Sequence, residues 1–195
     1  TYSMNLNNSN GPLADLKVRQ ALQHAIDREA ISQSILYGKC APSVQAAPEG
    51  YITHSEDLGP DYFEYDPERA RELLAEAGYP DGFAFETIVN NIPIYVSIAE
   101  VLQAQFAEVG VELSIRQVPS TDIVDIHNVR KLSDASVTLG IPVADPAQGA
   151  RAYWTAAGNR NPGGQTTPEI EELVAQVSSE TDEKALEEQW NALTE

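Results

Sequence analysis

Between Phe83 and Arg116 the chain reads as a strand, a helix and a second strand, and this unit limits the fold more than any other stretch. The apolar run Phe83 to Asn90 is entered through the turn Pro80-Asp81-Gly82, as a strand after a chain reversal would be. Ile94, Ile98, Leu102, Phe106 and Val109 then recur at three and four, the spacing of one helix face, and Gly110 stops the helix. Val111, Leu113 and Ile115 alternate with Glu112, Ser114 and Arg116, the period of a half-buried strand. Two strands joined through a helix lie parallel, so a right-handed crossover sets them side by side with the helix over one face. The predicted class is α/β, with helices flanking a mixed sheet of four or five strands.

The flanking segments carry clear helix punctuation. Asp15 and Asp27 are placed to cap two helical runs, the first bearing Leu16, Ala21, Leu22, Ala25 and Ile26, the second ending at Gly38. Asp66-Pro67-Glu68 opens a helix with the stripe Ala70, Leu73, Leu74 and Ala77, and Gly78 closes it. Further on, helices are predicted over 120–131, over 147–157, from Thr167-Pro168 and from Asp182, with a short strand from Ala135 to Gly140. Residues 38–65 form a connection longer than loops usually are, rich in Pro, Gly and Tyr.

Charge excludes one class of partner. Lys+Arg number 12 and Asp+Glu 30, a net charge of −18, and such a field repels nucleic-acid phosphates. No run of about 18 apolar residues occurs to span a bilayer. Catalytic and cofactor motifs are equally absent. His24, His54 and His127 lie far apart with no HExxH or paired cysteines, so neither a metal centre nor a cofactor is expected, and no catalytic residue is named. Cys40 beside Lys39 reads as a small residue in a turn. What does concentrate is a set of amides, aromatics and chain breaks at the ends of predicted strands and helices, where open α/β sheets bind ligands. Asn90, Asn91, Asp145, Tyr153, Trp154, Asn159 and Asn161 are the candidate ligand-binding residues, expected to cluster on one edge. A second reading of the same residues is plain: the aromatics are core and the asparagines form turns.

Three strings resemble a known family. They are Asp15-x-x-Val18-Arg19-Gln20-Ala21-Leu22-x-x-Ala25-Ile26-Asp27-Arg28-x-x-Ile31, then Tyr65-Asp66-Pro67-Glu68-x-Ala70-x-Glu72-Leu73-Leu74-Ala75-Glu76-Ala77-Gly78-Tyr79-Pro80-Asp81-Gly82-Phe83, and Ala99-Glu100-x-Leu102-Gln103 leading to Gly110-Val111. In this order they resemble the family 5 solute-binding proteins of ABC importers, the dipeptide-, oligopeptide- and nickel-binding receptors. The resemblance implies one lobe of a two-lobed type II periplasmic-binding-protein fold that closes on its ligand. Residues 1–195 would then be a single lobe, most of the C-terminal one, with the other lobe and a return segment lying outside the chain.

The function so implied is capture of a small solute outside the cytoplasm, in the periplasm or at the cell surface, and delivery to an ABC permease without catalysis. A lipid anchor on a preceding segment is the one membrane attachment in this picture. The alternative is a ligand-sensing domain of a regulatory or signalling protein. In the family the passage around Asp-Pro, here Val137 to Pro146, supplies ligand contacts. Its peptide-binding members carry there a tryptophan and an acid that pairs with the ligand's amine; Leu139 and Pro142 stand at those places. A proline offers no carboxylate, which disfavours a free dipeptide and leaves sugars, opine-like compounds or other small solutes.

Overall fold

The computed structural model describes residues 1–195 apart from 46, 56, 141, 142, 144 and 195. Four strands form one sheet in the order β1-β4-β2-β3, with β1 Tyr2–Leu6, β2 Ala84–Asn90, β3 Glu112–Val118 and β4 Ala135–Leu139. The pairs β2/β3 and β2/β4 are parallel and β1/β4 is antiparallel, so the sheet is mixed and the strand, helix, strand unit pairs as the sequence predicts.

Seven α-helices accompany the sheet among the described residues: α1 Leu16–His24, α2 Arg28–Ile35, α3 Pro67–Glu76, α4 Pro93–Glu108, α5 Pro146–Trp154, α6 Pro168–Ser179 and α7 Glu183–Thr194. Their starts follow the capping pattern. Carboxylates of Asp15, Asp27, Asp66, Asp145 and Asp182 accept from first-turn amides, and the Thr167 hydroxyl accepts from Ile170 N.

Strand alternation divides the sheet into two unlike faces. Tyr2, Met4, Leu6, Phe85, Val89, Leu113, Ala135 and Val137 meet the apolar faces of α1, α3 and α4 in the main core, where Phe106 and Val18 have no exposed surface. The opposite face carries Ser3, Asn5, Glu86, Arg116, Ser136 and Thr138. Here Asn5 Nδ2 donates to Thr138 Oγ1 at 2.9 Å, and Arg116 grips Glu86 with Nε and Nη2 at 3.0 and 2.8 Å. Ile88 and Val118 on this face pack with Ile123 and Ile126. Helices α5, α6 and α7 build a separate apolar cluster around Ala150, Val174, Val177, Trp190 and Leu193.

Two segments differ from the sequence reading. Where a helix is predicted over 120–131, the structure has a π-helical turn, Val124–Val129, in which Arg130 N bonds Asp125 O at 2.8 Å. The extra residue per turn lets Ile123 and Ile126 reach the sheet while His127 is wholly buried. The helix predicted over 147–157 ends at Trp154, and residues 155–158 turn back with Gly158 N on Thr155 O.

Candidate functional site

The carboxyl ends of the parallel strands point to one side of the sheet, and the segments leaving them frame the site. A cavity of about 910 Å³ runs along the free edge of β1 and is lined on both sides of that strand. Its apolar side is Leu22, Ile26, Ile98, Leu102 and Phe106; its polar floor is Ser3, Asn5, Ser136 and Thr138. Over the floor stand two walls. One is the π-helical turn, through Ile123, Val124 and Asn128; the other is α5 and its following loop, through Tyr153, Asn159 and Arg160. Asn128 Nδ2 donates to the Asn159 carbonyl at 2.9 Å and so links the walls. A volume of this size suits a small molecule, for which ligand pockets run roughly 300–1,000 Å³.

Of the seven residues singled out by sequence, Tyr153 and Asn159 line this cavity and the other five do not. The carboxylate of Asp145 accepts from Ala147 N and Gln148 N, capping α5. Asn161 holds its own loop, donating to the carbonyls of Thr155 and Gln165 and accepting from Gly164 N. Asn90 is buried and accepts from Ile92 N, whereas Asn91 is exposed. Trp154 sets its ring edge-to-face on Trp190 at 5.0 Å and joins the helical cluster. The side chains of Asn90, Asp145 and Asn161 are thus used in turns and a helix cap. Pro142, at the place of the family's acid, lies outside the described residues.

The sequence reading did not find Arg160 or Asn128. An arginine in a Gly/Asn loop carries the signature of solvent, and only the fold shows it over Tyr153. There its guanidinium carbon sits 5.4 Å from the ring centroid and Nη1 donates to Tyr153 Oη at 2.9 Å. Among the described residues no group of three or more His, Cys, Asp or Glu could hold a metal ion. His24 is scaffold, its Nδ1 2.9 Å from the Glu64 carbonyl. No described helix is long and apolar enough to cross a membrane.

His127 anchors one cavity wall and makes that wall sensitive to acid. Its ring has no exposed surface, Nδ1 lies 2.9 Å from Ser133 Oγ, and Nε2 has no partner. Burial disfavours the imidazolium and pulls the pKa down to about 4, outweighing the hydrogen bond with Ser133. An unfolded histidine titrates near 6.5, so the stability held by neutral His127 is complete above about pH 6.5 and is lost as pH falls toward 4. The full difference is about 3 kcal/mol. Chemical denaturation of the wild type and of His127→Gln across this window should give curves that diverge, the variant lacking that component of acid sensitivity. Parallel curves would show that the ring is not excluded from water.

The chain is a mixed sheet flanked by helices with a ligand-sized cavity along its β1 edge, and its structural neighbours are type II periplasmic binding proteins. The model of the bacterial extracellular solute-binding proteins, family 5 Middle, matches residues 1–164, and the chain belongs to this family. Heme-binding protein A of Haemophilus influenzae is 34% identical over 111 residues, 54% of this chain and 20% of that protein. Glutathione-binding protein GsiB of Salmonella typhimurium is 34% identical over 113 residues, 57% of this chain and 22% of its own. The structure of HbpA2 from Haemophilus parasuis superposes with a TM-score of 0.87 at 27% identity, covering 98% of this chain and 39% of that one. The chain therefore spans about a fifth of the length of these two relatives in the matched region. These relatives are named as binding proteins.

Proposed function

We propose that the chain is a solute-binding lobe of an extracytoplasmic receptor that captures a small solute and hands it to an ABC importer, with no chemistry of its own. The observation that carries this reading is the cavity of about 910 Å³ along the β1 edge of the sheet in a chain of this family. A second lobe closes over the cavity mouth, so that the ligand is held between the two. The receptor works in the periplasm or at the cell surface, and the permease is its membrane partner. Within the lobe the ligand meets Tyr153 and Asn159 and lies over the floor of Ser3, Asn5, Ser136 and Thr138.

A thermal-shift screen on the full-length receptor identifies the solute, and calorimetry then compares the wild type with Tyr153→Ala. Loss of an aromatic contact worth about 1.4 kcal/mol weakens binding roughly tenfold. The solute is recovered unchanged after incubation. An unaltered affinity would remove Tyr153 from the site, and conversion of the solute would replace the transport reading with an enzymatic one.

A further inference from the structure

We infer that Asn10-Gly11, in the loop between β1 and α1, is a site at which the chain modifies its own backbone: the asparagine closes to a succinimide, and water opens the ring to aspartate and isoaspartate. The sequence holds one Asn-Gly step. A glycine after asparagine leaves the peptide nitrogen without a side chain to bar its approach to the amide carbon. Both residues are exposed, so water reaches the site freely. Gly11 has φ +64°, and nothing lies within 4 Å of the position a β-carbon would take, so the loop can turn there without striking a neighbour. Among the described residues no hydrogen bond occupies the Gly11 N–H. The Asn10 side chain makes one bond, a 3.3 Å donation from Nδ2 to Ser9 Oγ in solvent. Nucleophile and electrophile are both unheld.

Asp81-Gly82 is the one Asp-Gly step and has similar local chemistry, but its surroundings oppose ring closure. Gly82 N donates to Tyr79 O at 3.0 Å, and a β-carbon on Gly82 would lie 1.8 Å from Gly110 O, so that amide is neither free to lose its proton nor free to swing. At Asn10 the Gly11 nitrogen loses its proton and bonds to Asn10 Cγ. The Cγ–Nδ2 bond breaks, and ammonia leaves with a proton in place of the one shed. Water then adds to either ring carbonyl. Breaking the nitrogen's bond to Cγ gives aspartate; breaking its bond to the main-chain carbonyl carbon gives isoaspartate, in which the backbone runs through the former side chain and is longer by one carbon. Water is the co-reactant, and no electrons change hands. Either product adds one negative charge to the net −18 of the chain. The isoaspartyl form also lengthens a link fixed at both ends, by Asn7 N on Asp134 O at 2.7 Å and by Leu13 in the main core.

The test is incubation of the folded chain in mildly alkaline heavy-oxygen water, followed by peptide mapping with mass spectrometry and by isoaspartyl methylation as the probe of isoaspartate. Residue 10 is expected to take up heavy oxygen about tenfold faster than any other asparagine or aspartate. Asn10→Gln, whose longer side chain would have to close a larger ring, and Gly11→Ala each lower uptake in that peptide at least about tenfold. Circular dichroism verifies that both variants keep the fold. Asp81 stays unlabelled in the folded chain and takes up label in urea, because its protection comes from the fold. Label at Asn10 in urea but not in the folded chain would overturn the proposal, since the loop would then hold the amide still. Uptake undiminished in Asn10→Gln would place the label on another residue and overturn it as well. Equal rates at Asn10 and Asp81 in the folded chain would overturn the selectivity drawn from hydrogen bonding and packing.

Discussion

Replacing Gly82 by alanine should lower the stability of this chain by about 4 kcal/mol, the largest effect expected of any single methyl group here. Gly82 ends the turn before β2, and Gly110 ends the turn before β3. The two turns meet where the parallel strands begin: Glu112 N bonds Phe83 O at 2.8 Å. A β-carbon on Gly82 would lie 1.8 Å from the carbonyl oxygen of Gly110 and 2.4 Å from its carbon. Backbone cannot swing aside as a side-chain end can, so the strands must part. The residue also has φ +77°, a left-handed conformation that costs other residues about 1–2 kcal/mol. Gly78, at φ +89°, offers the control, because nothing lies within 4 Å of its β-carbon position. Gly78→Ala should therefore cost only the conformational part, about 1 kcal/mol. At roughly 2–4 °C per kcal/mol for a domain of this size, thermal unfolding followed by circular dichroism separates the two variants by roughly 10 °C. Equal melting temperatures would mean that the approach of the two turns is looser than described.

That contact also shows why so much of the scaffold was readable. Caps and stops are local chemistry: Asp15, Asp27 and Asp66 each sit one residue before a helix, and each accepts the amide that an N-cap should. The parallel pair β2/β3 follows from alternation and one amphipathic helix, both of which are periodic in sequence. The π-helical turn was not readable, because its extra residue answers to the packing of Ile123 and Ile126 on Val118 and on Ile88, the latter in a strand distant in sequence. Nor was the position of β1, whose partner β4 lies about 130 residues away.

The candidate site was partly legible for the same reason. Tyr153 in the last turn of α5 and Asn159 in the loop after it do line the cavity, but the side chains of Asp145 and Asn161 are taken up in bonds to neighbouring backbone. A polar residue at a strand end serves a turn or a ligand with the same atoms, and sequence does not distinguish the two uses. Arg160 escaped notice because its meaning comes from Tyr153, seven residues earlier, across a reversal of the chain.

The central claim is that this chain supplies one side of a shared pocket. A ligand enclosed between two lobes takes part of its contacts from each, and closure excludes the water that weakens polar interactions. If the partner lobe contributes about 4 kcal/mol of net interaction, the chain alone binds roughly a thousandfold more weakly than the full-length receptor. On the proposed two-lobed reading, hinge closure over the ligand is lost as well. The direct measurement is calorimetric titration of both proteins with the solute identified on the full-length receptor. The account predicts a dissociation constant for the chain about three orders of magnitude higher. Equal affinities would place the whole site within residues 1–195 and contradict the shared pocket.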